Sequence, residues 1–93
     1  MAKLSGIKFM TSFVEEYLSG DMERIGFDLD FNYYLNEHYS KMEREYPDLA
    51  GCFYYYLTEQ GIEQANHLND SEHKKLIRKQ WREVKSAMRT GLL

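Results

Sequence analysis

One segment near the end of the chain constrains the fold more than any other. Between Asp70 and Arg89, at about 100° per residue, Leu76, Ile77, Trp81, Val84, Ala87 and Met88 share one sector of a helix. Lys74, Lys75, Arg78, Lys79, Arg82, Lys85 and Arg89 fill a sector roughly 150° away. A helix that is apolar along one side must bury that side against other elements. Asn69, with Glu72 three residues on, has the pattern of a capping box, so the helix is expected over 70–89 with Asn69 as its cap.

The rest of the chain supplies matching stripes. Ile7, Met10, Phe13, Val14, Tyr17 and Leu18 predict a helix near 6–19, capped by Ser5 and closed by Gly20 in a left-handed conformation. Asp21 to Ile25 reads as a single turn closed by Gly26. Phe31, Tyr34, Leu35, His38 and Met42 then predict a helix near 30–45, begun by Asp28 or Asp30 and stopped before the only proline, Pro47. Leu49, Cys52, Phe53, Tyr56 and Leu57 predict a third helix near 48–60 that ends at Gly61, followed by a short turn carrying Ile62, Ala65 and Leu68. The run Phe53-Tyr54-Tyr55-Tyr56 has strand propensity, but its apolar neighbours keep helical spacing and no partner strand is evident. The expectation is an all-α single domain over 1–93: a small bundle of about four helices with short connections and sequential neighbours roughly antiparallel.

Charge is distributed unevenly. Residues 1–70 carry 5 Lys/Arg against 13 Asp/Glu, and residues 71–93 carry 7 against 2, so a net charge of −3 hides an acidic body and a basic tail. The simplest expectation is that the basic face of the last helix solvates itself and pairs with the acidic body. The longest apolar run, Cys52 to Leu57, is far below the ~20 residues a membrane helix needs, and no secretory pattern precedes it. A cytoplasmic protein with no membrane association follows as an expectation, and the lone Cys52 reads as a small core residue.

Chemical motifs are weak. Glu59, Glu63 and His67 are four apart but straddle Gly61, and His38 and His73 have no partner at ligand spacing. Asp28, Asp30 and Asn32 imitate the start of a calcium loop, but Tyr33 stands where that loop needs glycine. No glycine-rich phosphate loop and no activated nucleophile is present. No catalysis, cofactor, metal or small-molecule substrate is expected.

Two surfaces remain. Eight tyrosines exceed what the apolar stripes require: Tyr33, Tyr39, Tyr46, Tyr54 and Tyr55 lie wholly or partly off them, among Glu37, Glu43, Glu45 and Asp48. Tyrosine gives large contact area at low entropic cost. The leading expectation is therefore a non-enzymatic protein-interaction or regulatory module that binds a protein partner, or its own copy as a homodimer, through this face. The alternative is a nucleic-acid-associated regulator contacting phosphates through Lys74, Arg78, Arg82, Lys85 and Arg89.

Overall fold

A computed structural model describes residues 5–89, which form four helices and, among the described residues, no strand. Helix α1 is Ser5–Ser19 and α2 is Arg24–Glu45. Helix α3 covers 47–65 and is built of Pro47–Cys52, a π-helical stretch Phe53–Ile62 and a closing turn Glu63–Ala65. Helix α4 is Asp70–Arg89.

Local chemistry explains most of the boundaries. The Asn69 side chain accepts a 2.8 Å hydrogen bond from the Glu72 N–H, and α4 spans the residues expected of it. Gly20 has φ +97°, the left-handed conformation that glycine adopts without steric cost, and it ends α1 as expected. Pro47 opens α3, where its missing N–H costs nothing.

Ser5 does not cap α1 from outside; it lies within the helix. Glu45, at the far end of α2, takes the capping role: its carboxylate accepts the Gly6 N–H at 3.0 Å and the Ile7 N–H at 3.1 Å. A carboxylate at this position satisfies orphan donors and complements the helix dipole. A Cβ on Gly6 would lie 3.1 Å from Met42 Cγ and 3.5 Å from Glu45 Oε2, so this glycine gives the carboxylate its approach.

Helix α2 starts at Arg24, well before the expected Asp28 or Asp30 cap, and passes through Gly26. The reason is packing. Phe27, Phe31 and Leu35 form one ladder at four-residue spacing, all buried, and Phe27 stacks on Tyr17 at 4.4 Å between ring centroids. Burying an aromatic ring is worth more than the roughly 1 kcal/mol a mid-helix glycine costs.

Helix α3 does not end at Gly61 either. Its buried positions Leu49, Phe53, Leu57, Gly61 and Ala65 recur every four residues, so in an α-helix of 3.6 per turn they would drift steadily around the axis. The π-helical turns, which hold more residues each, rotate the series back toward the core; the Glu63 N–H accordingly bonds the Thr58 carbonyl five residues earlier. Ile62 and Ala65 thus belong to the helix rather than to a following turn. A Cβ at Gly61 would sit 3.0 Å from the Tyr56 carbonyl oxygen and 3.1 Å from Ile77 Cδ1, so Gly61 is where α3 and α4 approach closely.

The core joins all four helices. Met10, Phe13, Val14 and Tyr17 of α1 meet Phe27, Phe31, Leu35 and Met42 of α2, and Leu49, Phe53 and Leu57 of α3 meet Ile77, Trp81 and Val84 of α4. Phe53 packs edge-on against Trp81 at 5.7 Å. No described helix is long and apolar enough to cross a membrane.

Candidate functional site

An open cleft of about 1050 Å³ lies where the end of α1, the start of α2 and the first half of α4 converge. Its floor is a chain of polar groups. Tyr17, whose phenol is pushed up to about 12 by burial and then by the Asp28 carboxylate, keeps its proton at neutral pH. Its hydroxyl lies 2.6 Å from His73 Nδ1, and His73 Nε2 lies 2.9 Å from Asp28 Oδ1. With the phenol as donor, Nδ1 is the acceptor and the imidazole proton faces Asp28 from Nε2.

Arg24 completes the chain. Its Nε lies 3.5 Å from Asp28, one Nη reaches Asp70 at 3.1 Å and the Leu68 carbonyl, and the other reaches the Ala65 and Asn66 carbonyls at 3.1 and 3.2 Å. A single guanidinium so covers the carbonyl end of α3 and ties it to the starts of α2 and α4. Tyr17 and His73 are buried and fully occupied with each other and with Asp28. They fasten the cleft rather than offering groups to a substrate.

The cleft's two lips differ. One carries Ile25 and Leu29 of α2, which are 66% and 71% exposed despite their apolarity. The other carries Lys74, Lys75 and Arg78 of α4. Lys74 Nζ lies 4.9 Å over the Tyr17 ring, and Arg78 donates to the Leu18 carbonyl at 2.9 Å. None of the seven α4 cations pairs with a carboxylate among the described residues. The expected pairing with the acidic body is not made among the described residues: of the acids lining the cleft, Asp28 is held by Arg24 and His73 and Asp70 by Arg24.

The tyrosines separate into two groups. Tyr33, Tyr54 and Tyr55 are exposed, whereas Tyr39 and Tyr46 are half-buried and pack on the core. Burial and, after it, Glu43 and Tyr54 push the Tyr39 phenol up. Glu45, expected among the acids of this face, is occupied at the α1 terminus. Along α4, Lys74 and Lys85 are half-buried and Arg78, Arg82 and Arg89 are exposed.

His73 is the residue that sequence reasoning missed. It carries a signal after all: four and eight residues before Ile77 and Trp81, it extends their buried ladder backward by one turn. Cys52 is half-buried, and burial followed by Asp48 pushes its thiol up, away from the reactive thiolate. Glu59, Glu63 and His67 do not gather into a ligand set, and no three His, Cys, Asp or Glu side chains do so among the described residues. No protein-family model matches the chain, and neither a curated protein nor a solved structure matches it. The fold defines the class: a small all-α bundle, with exposed tyrosines on α2 and α3 and cations on α4 that make no ion pair with a carboxylate among the described residues.

Proposed function

We propose that this protein is a non-enzymatic interaction module that binds another protein through an aromatic face centred on Tyr33, Tyr54 and Tyr55. The observation that carries the reading is exposure: these rings are 59%, 43% and 47% accessible while Tyr39 and Tyr46 are half-buried against the core. Large amphipathic rings left in water on adjoining helices suit a contact surface. Retention of a partner from nuclease-treated lysate is the test. Combined Tyr33→Ser, Tyr54→Ser and Tyr55→Ser should abolish it with helicity intact; an unchanged set of retained proteins would remove the reading.

A second reading has its own observation. The seven cations of α4 have no carboxylate partner among the described residues, and Arg82, Lys85 and Arg89 lie beyond Lys74 and Arg78, which are engaged at the cleft, so that this half of the helix suits the phosphates of a nucleic acid. Fluorescence anisotropy of a labelled duplex and a single strand should then rise at low salt and fall as salt increases. Arg82→Glu with Lys85→Glu and Arg89→Glu should abolish the rise. Flat anisotropy at low salt with both probes eliminates this reading.

A further inference from the structure

Helix α2 has two apolar sides. One is the buried ladder through Phe27, Phe31 and Leu35; on the roughly opposite side Ile25, Leu29 and Tyr33 stand at four-residue spacing, 66%, 71% and 59% exposed. The same face continues through the exposed Asn32, Asn36 and Ser40, so it carries no charge over about 22 Å of helix. Solvent-facing helix surfaces are ordinarily charged. Three large apolar side chains left this exposed at one helical spacing suit a contact with another surface.

We infer that this face is a homodimer interface, in which two copies of α2 pack side by side and parallel. The inference rests on the protein-contact reading above and names the partner as a second copy of the chain. Charge selects that occupant. One flank of the ridge faces the cleft, where Asp28 and Asp70 are held by Arg24 and the cations Lys74, Lys75 and Arg78 outnumber the one remaining acid, Glu23; the His73–Asp28 bond fixes α4 on that side. The other flank carries the exposed Asp30 and Glu37. A two-fold axis running along α2 sets the acidic flank of each copy against the cationic flank of the other, whereas an antiparallel pair would set like against like. A polyanion laid on the same ridge would meet Asp30 and Glu37.

The area is consistent with this. A specific interface takes about 800 Å² from each partner, more than the ridge supplies alone. With the acidic flank of one copy entering the cleft of the other, the opposite lip of that 1050 Å³ concavity, Lys74, Lys75 and Arg78, is added to the contact. The same patch serves both copies, as a closed two-fold interface requires.

Sedimentation equilibrium of the full chain tests the inference, with twice 11.1 kDa as the expected mass at about 100 µM. Leu29→Glu should weaken dimerisation by ~10-fold or more, and Ile25→Glu should do the same. Both sites face solvent, so the helical circular dichroism should not change. Asp30→Lys should also weaken the dimer, and adding Lys75→Glu should restore it. A monomer at every concentration overturns the inference, as does a dimer indifferent to Leu29→Glu and Ile25→Glu. A dimer broken only by Tyr54→Ser and Tyr55→Ser overturns it while leaving the protein-contact reading in place. A dimer that Leu29→Glu breaks but the charge exchange leaves unmoved overturns the parallel arrangement.

Discussion

The Tyr17 hydroxyl and Nδ1 of His73 share a 2.6 Å hydrogen bond, across 56 residues of sequence and inside the core. Both partners are almost wholly shielded from water, so neither can exchange the other for solvent. Tyr17→Phe keeps the ring and its stack on Phe27 but leaves Nδ1 of His73 buried without a donor. A loss of about 1–3 kcal/mol is expected, the cost of an unsatisfied buried polar group. Urea unfolding followed by circular dichroism measures it, and wild-type stability in the variant would contradict the account.

The same hydroxyl gives a pH dependence with a definite sign. Folding raises the Tyr17 phenol from 10.0 to about 12, so between those values the unfolded chain has lost a proton that the folded chain retains. Stability is therefore full below pH 10, declines from there and has lost this contribution by about pH 12. In the folded protein the tyrosinate absorbance should show a late-titrating tyrosine, and Tyr17→Phe should remove it.

Glu45 caps a helix from which it is distant in sequence. Glu45→Ala leaves the Gly6 and Ile7 N–H groups without their acceptor, and a loss of about 1 kcal/mol is expected, as for other N-cap removals. Faster amide exchange confined to the first turn of α1 would identify the cause.

Two glycines of α3 should respond in opposite directions. A Cβ at Gly51 meets nothing within 4 Å, so Gly51→Ala should stabilise the helix by about 1 kcal/mol. At Gly61 the same Cβ would press on the Tyr56 carbonyl and Ile77, so Gly61→Ala should destabilise by about 1–3 kcal/mol. Thermal unfolding of the two variants decides it, and equal effects would show that α3 and α4 do not meet as described.

The elements legible in the sequence are those whose signals are local. Asn69 caps the segment that its own spacing predicts, Gly20 turns where it stands, and the stripe from Ile77 to Val84 faces inward. What was hidden depends on residues distant in the chain. Glu45 replaces Ser5 as a cap only because α2 folds back along α1. Phe27 carries α2 through Gly26 because Tyr17 lies across from it. The π-helical turns of α3 answer to a four-residue ladder whose inward direction is set by α4. The tyrosine face was legible as an excess of rings over stripes, but which rings remain in water was settled by tertiary packing: Tyr39 and Tyr46 went in. Pairing of the α4 cations could not be read from charge totals, because two acids of the cleft, Asp28 and Asp70, are held by Arg24 and His73.

Arg24 joins the end of α3 to the beginnings of α2 and α4. Three helix termini that would each fray independently thus share one fastening, and loosening any of them exposes the carbonyls and carboxylates that the others use. Amide exchange at Phe27, Leu68 and His73 should accordingly report a single opening event, with one free energy common to all three sites. The cleft then has a joint at one end, where Arg24 adds to the hold that the His73–Asp28 bond already has on α2 and α4.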